Sequence, residues 1–181
     1  MRELKKDFFD RDAEIVARGL LGKLLRFDDC SGVIVETEAY KDDPASHARK
    51  ITKRSRPIAE KFGTTYVYLN YGMYWLLNFT CDSKKAGAVL IRAVEPVEGI
   101  PLMRKRRKRE KVEELCSGPG KLCQAFGITG KQHDKPVRKE VMLFDIGRKV
   151  EIATSKRVGI SKGQEYEWRY FIKGNRFVSK G

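Results

Sequence analysis

The period of apolar and polar positions changes several times along the chain, and each change marks an element. Ile15, Val16 and Leu20 recur at helical spacing between Asp10, which suits an N-cap, and Gly22, which stops the run, so a first helix is predicted there. Two β-like runs over 23–27 and 33–40 flank Asp28-Asp29-Cys30-Ser31-Gly32, the composition of a short hairpin loop. Residues 48–63 are basic, poor in large apolar side chains and broken by Pro57, which predicts a surface loop. The aromatic run 66–79 predicts a hairpin turning at Asn70-Tyr71-Gly72, with Gly72 left-handed because a residue without Cβ takes that conformation at no steric cost. In that register Tyr68, Tyr74 and Asn78 share one face and Tyr71 stands at the tip. A strand over 88–94, a basic helix over 101–114, and a short helix opened by Ser117-Gly118-Pro119-Gly120-Lys121 and stopped by Gly127 follow. Beyond 141, short strands alternate with glycine turns. The balance predicts an α+β fold with a mainly antiparallel sheet.

Length and composition narrow the class. The 181 residues suffice for one domain, 1–181, and 41% apolar with 10% aromatic content separates the chain from disordered basic tails. Lys and Arg number 38 against 24 Asp and Glu, a net charge of +14. Such an excess draws polyanions, since each cation that neutralises a phosphate releases a condensed counterion, so nucleic acid is the first partner expected. Met1–Asp7 carries charges where a signal peptide has its apolar stretch, and no window approaches the roughly 18 apolar residues of a membrane span, so an intracellular protein without membrane contact is expected. Cys30, Cys81, Cys116 and Cys123 form no C-x-x-C pair, and only His47 and His133 could complete a metal set, so neither a metal site nor a disulfide framework is expected.

Glu36-Thr37-Glu38-Ala39-Tyr40 sets two carboxylates and a phenol at alternate positions, on one face of a strand that begins Val33-Ile34-Val35. Carboxylates there are costly unless paired or used, and they fit a solvated strand end, a structural ion pair or a general base. Arg92 is a lone cation among apolar neighbours. With its strand beside the first, an Arg–Glu pair would keep a glutamate ionised and aimed. The hairpin aromatics fit sheet packing, yet Tyr71 at the tip of a cationic protein is also placed to wedge into a base stack. His47, beside the cationic loop, fits a surface histidine, a phosphate contact or a pocket wall, whereas His133 reads as ordinary loop. Ser117–Lys121 fits either a phosphate cradle or a close-packed helix start and lacks the spacing of a nucleotide-binding loop. The run Arg104–Lys111 reads as a solvated helix face.

Taken together these residues resemble the alkyladenine (3-methyladenine, or methylpurine) DNA glycosylase family. The resemblance runs from Phe8-Phe9 to near Ser179. It rests on Ile34-Val35-Glu36-Thr37-Glu38-Ala39-Tyr40, Tyr66-Val67-Tyr68 with Tyr71-Gly72-Met73-Tyr74, Leu90-Ile91-Arg92-Ala93-Val94-Glu95-Pro96, and Leu115-Cys116-Ser117-Gly118-Pro119-Gly120-Lys121-Leu122-Cys123-Gln124, in that order. It implies a single compact domain with a curved, mainly antiparallel sheet, surrounding helices and a protruding hairpin. It also implies a monofunctional hydrolase without metal or cofactor, which flips damaged purines (3-methyladenine, 7-methylguanine, hypoxanthine, ethenoadenine) out of double-stranded DNA and leaves an abasic site. By position, Glu38 is similar to the carboxylate that orients and deprotonates the attacking water, and Arg92 to the cation holding that water and glutamate. Tyr40, His47 and Tyr68 resemble the walls between which the flipped base stacks, Asn78 the residue that crowds the exocyclic amine of guanine, and Tyr71 the side chain that fills the gap left in the duplex. Lys53, Arg54 and Arg56 are the candidates for backbone contact. Cationic alkylated purines gain a cation–π interaction against tyrosine faces, and they leave readily, so the chemistry needs mainly a water, a base and a field that tolerates oxocarbenium charge.

The chain departs from the family pattern at Ser55, where Asn is usual, at Ala59-Glu60 in place of Phe-Gly, and at Asn175-Arg176 in place of Ser-Pro. The first two fall in the cationic loop and bear on substrate range or DNA grip rather than catalysis. The competing class is a non-catalytic nucleic-acid-binding module of related fold. The joint presence of Glu38 and Arg92 weighs against it, since a partly buried carboxylate only repels phosphate. With no disordered extension ahead of the fold, a prokaryotic, cytoplasmic, nucleoid-associated monomer is expected.

Overall fold

Strand-forming runs dominate the computed structural model, which describes residues 1–180. Nine strands form one sheet: β1 (Arg2–Glu3), β2 (Leu24–Phe27), β3 (Cys30–Tyr40), β4 (Thr65–Asn70), β5 (Tyr74–Cys81), β6 (Gly87–Glu98), β7 (Met142–Asp145), β8 (Ile152–Ser155) and β9 (Arg169–Ile172). Four α-helices surround it: α1 (Ala13–Leu20), α2 (Arg56–Glu60), α3 (Ile100–Arg107) and α4 (Pro119–Phe126). The strand order is β1-β7-β2-β3-β6-β5-β4, and every pairing among the described strands is antiparallel. β3 is the hub. β2 pairs with its first half and β9 with its second, β6 runs along its other edge, and β8 extends from β9. The β3–β6 register slips at Ser31/Gly32, Ile34/Glu36 and Glu36/Thr37. Such bulges bend a strand and re-aim its side chains, so the sheet curves where the two glutamates sit.

The α+β class with a curved antiparallel sheet is therefore present, and several local expectations are corrected. In α1 the cap is Asp12, whose side chain accepts the Glu14 N–H at 2.9 Å, while Asp10 accepts from Ser83 N–H at 2.8 Å instead. The buried stripe is Ala13, Val16, Ala17 and Leu20, and Ile15 is exposed, because two alanines complete the apolar face where periodicity weighted the larger side chain. The β2–β3 turn uses only Asp28-Asp29, and Cys30-Ser31-Gly32 belong to β3. Gly32 serves close approach rather than turning: a Cβ there would lie 2.9 Å from Glu95 O and 2.9 Å from Val94 Cγ2. Within the predicted loop 48–63, Pro57 opens α2 rather than breaking structure, and Ile58 joins a small cluster with Ala48, Tyr66 and Ala88. The basic helix stops at Arg107, since Lys108 turns left-handed (φ 52°). α4 opens with Pro119 and closes at left-handed Gly127, as predicted, and β7, β8 and β9 supply the short C-terminal strands. Among the described residues no helix is long and apolar enough to cross a membrane.

Candidate active site

The β4–β5 hairpin turns at Tyr71-Gly72-Met73, one residue later than predicted, closed by the Asn70–Tyr74 pair and a Met73 N–H to Asn70 O bond of 3.0 Å. Both Tyr71 (φ 50°) and Gly72 (φ 68°) are left-handed, which delays the turn. The change moves the cross-strand register by two positions, so side-chain parity survives. Tyr68, Tyr74 and Asn78 share a face and line a cavity of about 720 Å³, and Tyr71 is 81% exposed at the tip. Gly120 at the start of α4 lets the hairpin base pack close, since a Cβ there would sit 3.0 Å from Tyr74 Cβ.

Aromatic rings build the cavity wall. Tyr68 stacks on Tyr66 at 5.3 Å between centroids, and His47 meets Tyr68 edge-on at 4.8 Å. His47 Nδ1 lies 2.9 Å from the Tyr66 hydroxyl. Burial, helped by the Arg54 charge, lowers the His47 pKa, so the ring is neutral at pH 7. Asn78 Nδ2 donates to Tyr66 O at 3.1 Å, which fixes the amide against the wall. Tyr66 completes this arrangement although the sequence reading does not single it out. Its partner on the other side is His133, which meets the Tyr66 ring at 5.6 Å and accepts Val67 N–H, and so is more than ordinary loop.

At the inner end of the cavity β3 and β6 bring the paired charges together. Arg92 reaches both glutamates, Nε to Glu36 Oε1 at 3.0 Å and Nη1 to Glu38 Oε1 at 3.3 Å. Glu38 also accepts Val158 N–H on Oε1 at 2.7 Å and the Tyr40 hydroxyl on Oε2 at 2.8 Å. It has no exposed surface, while Tyr40, Arg92 and Val158, which hold it, all line the cavity. Burial pushes the Glu38 carboxyl above its ordinary pKa, against the pull of Arg92, the Val158 amide and Tyr40. Burial and the neighbouring Glu38 charge raise the Tyr40 pKa further still, so its hydroxyl remains a donor. Glu36 is equally buried and accepts from Arg169 Nε (2.7 Å), Ser179 N–H (2.7 Å) and Ser179 Oγ (2.8 Å) besides Arg92. The two carboxylates thus divide: one is saturated by donors, and one adjoins the cavity.

Of the cationic-loop candidates, Lys53 and Arg54 are exposed, with the Arg54 guanidinium 5.7 Å from the Tyr68 ring centre, while Arg56 leans on Glu60 at 3.5 Å. Ser55 is buried and closes its turn by accepting Thr52 N–H at 2.9 Å. Arg107, Arg109 and Lys121 line the cavity itself, so the run read as a solvated helix face reaches the site, as does Gly118-Pro119-Gly120. Arg107 is steadied by Leu115 O and Gln124. Val158, Arg169 and Ser179 are also absent from the sequence candidates. A backbone amide leaves no trace in residue type, and the two side chains lie more than a hundred positions from Glu36.

Comparison with known proteins gives the family to which the chain belongs. The family model described as Methylpurine-DNA glycosylase matches residues 7–176. A protein of Agrobacterium fabrum named "Putative 3-methyladenine DNA glycosylase" is 46% identical over 181 residues, covering 98% of this chain and 93% of its own. Proteins of Rhizobium johnstonii (47% over 180 residues, 98% and 90%) and Prosthecochloris aestuarii (45% over 192 residues, 99% and 92%) carry the same name. On the extent of that match, the chain belongs to the methylpurine-DNA glycosylase family.

Proposed function

We propose that this protein is a monofunctional DNA glycosylase that extrudes a damaged purine from double-stranded DNA and hydrolyses its N-glycosidic bond, acting as a monomer on the chromosome of a prokaryotic cell. The observation that carries the reading is Glu38, a buried carboxylate held by Tyr40, Val158 and Arg92 beside an aromatic cavity. Extrusion brings the base out of the stack and between Tyr40, His47 and Tyr68, while Tyr71 enters the space it leaves. The exposed Lys53 and Arg54, and Arg107, Arg109 and Lys121 of the cavity lining, supply cations for the flanking phosphates. As the N-glycosidic bond breaks, the purine leaves with its electron pair, neutral when the base was cationic and otherwise taking up a proton, and the still ionised Glu38 offsets the oxocarbenium charge. A water beside Arg92 and Val158 then bonds through its oxygen to the anomeric carbon as its proton passes to Glu38. Substrates are 3-methyladenine, 7-methylguanine, hypoxanthine and ethenoadenine. The cationic ones leave most easily and interact most strongly with the tyrosine faces.

Glu38→Gln tests the reading. The amide keeps the shape and takes no proton, so single-turnover excision from a hypoxanthine duplex is expected to fall by roughly 10²–10⁴ with affinity for the duplex retained. Excision at wild-type speed by this variant would remove Glu38 from the reaction.

A further inference from the structure

Two of the three groups that hold Glu38 are themselves anchored by one buried ion pair. The side chains of Arg157 and Asp43 are 0% and 1% exposed. The guanidinium donates twice to the carboxylate, Nη2 to Oδ1 at 2.7 Å and Nη1 to Oδ2 at 3.1 Å, and once each to Ala39 O (3.1 Å) and Gly163 O (3.2 Å). Its Cζ lies 4.7 Å from the centre of the Tyr40 ring and 5.1 Å from that of Trp168, and its Nε is buried without a hydrogen-bond partner. Asp43 also accepts Lys41 N–H and Ala45 N–H, closing the turn that leads to His47. The residue after Arg157 is Val158, whose amide holds Glu38 Oε1, and the ring under its guanidinium is Tyr40, whose hydroxyl holds Oε2.

Apolar side chains of similar volume often stabilise a fold as well as a buried ion pair or better, so packing alone does not account for this one. A bidentate fork fixes direction as well as distance, which apolar packing does not. We infer that the Arg157–Asp43 pair is a positioning device for the general base: it sets the Val158 amide and the Tyr40 hydroxyl, and through them the orientation of Glu38. The inference rests on Glu38 acting as the base. Around that carboxylate stand Arg92 of β6, Tyr40 and Glu36 of β3, Tyr68 of β4, the Val158 amide and Arg169 opposite in β9. Arg157 reaches Glu38 only through two of these. Loosening a donor to an ionised carboxylate raises its pKa, so a rate that needs the ionised form is lost at a higher pH.

Two variants decide the matter: Arg157→Lys, which keeps the charge and loses the fork, and the double change Arg157→Met with Asp43→Leu, which removes both charges and keeps the volume. Single-turnover excision is followed across pH beside the ¹³C titration of the Glu38 carboxyl, thermal melting, and affinity for a duplex carrying a tetrahydrofuran abasic analogue. In the double variant, excision at neutral pH is expected to fall about 10- to 100-fold, with the acid limb and the Glu38 titration moving together to higher pH. Its melting temperature is expected to fall, since the Lys41 and Ala45 N–H groups lose their acceptor and Ala39 O and Gly163 O their donor, while the duplex affinity of the folded protein stays near that of wild type and Arg157→Lys falls between. The inference is overturned by a folded double variant with wild-type rate and an unmoved limb, or by a loss that only follows the folded fraction while Glu38 titrates unchanged. Should the double variant fail to fold, Arg157→Lys is judged by the same two readouts. A wild-type acid limb that ignores the Glu38 titration overturns the general-base reading instead, and the pair is then judged by that titration alone.

Discussion

Glu38 is a carboxyl whose burial outweighs three favourable contacts, and this has a sign that experiment can read. Its pKa is raised, so the excision rate is expected to fall with decreasing pH at values above the ordinary carboxylate range. The same shift acts on stability. Between the ordinary and the raised pKa the native state binds a proton that the unfolded chain has released, so this group's contribution declines as pH rises through that window. Glu38→Gln removes that part of the slope, which melting curves across pH will detect. Asn78 is a second site where one side chain carries a prediction. Its amide is fixed by Tyr66 O on the cavity wall, and under the proposed function it opposes an exocyclic amine. Asn78→Ser is expected to raise release of normal guanine relative to hypoxanthine by roughly 10-fold or more. Unchanged discrimination in a competition assay would place selectivity elsewhere. The Glu–Arg constellation was legible because carboxylates and a lone cation are conspicuous in apolar strands. The donors Val158, Arg169 and Ser179 on these two glutamates were not, because nothing local distinguishes an amide, an arginine or a serine that a distant strand will use.

At the scale of elements, the β4–β5 hairpin shows why a misjudged turn left the site intact. Parity along a strand survives a register change of two, so the face shared by Tyr68, Tyr74 and Asn78 was readable while the loop itself was not. Two left-handed residues in succession decided the turn, and only one of them is glycine. The hairpin is aimed by its base, where Tyr74 lies over Gly120. Gly120→Ala is expected to displace Tyr74 and tilt the tip, weakening base extrusion in a fluorescent-base assay, and Tyr71→Ala to weaken it through the unfilled gap in the stack, by about a few kcal/mol. A flipping equilibrium unchanged in both would return the hairpin to an ordinary sheet edge. α2 escaped the sequence reading for a comparable reason: its single buried aliphatic, Ile58, gives too little periodicity to reveal a helix of five residues.

Over the whole molecule a charge of +14 surrounds a nearly neutral pair of buried clusters, so long-range attraction and local chemistry are carried by different residues. Neutralising Lys53, Arg54 and Arg56 together is expected to flatten the dependence of log K on log salt by about 0.9 for each phosphate that goes unneutralised, without changing the single-turnover rate at saturation. An unaltered slope would take the loop off the DNA. Fold class was legible at this scale, since alternating strands and short helices exclude most architectures, whereas the branching of β2 and β9 from one edge of β3 has no local signature. The bonds from Ser179 to Glu36 span 143 positions, and both acceptor oxygens of that glutamate are engaged by them. During synthesis, then, Glu36 emerges from the ribosome long before the serine that completes its partners. A nascent chain halted short of that serine keeps Arg92 and Arg169 on Glu36 Oε1 but leaves Oε2 without its donor, so the buried charge cluster beneath the cavity is complete only when Ser179 is in place.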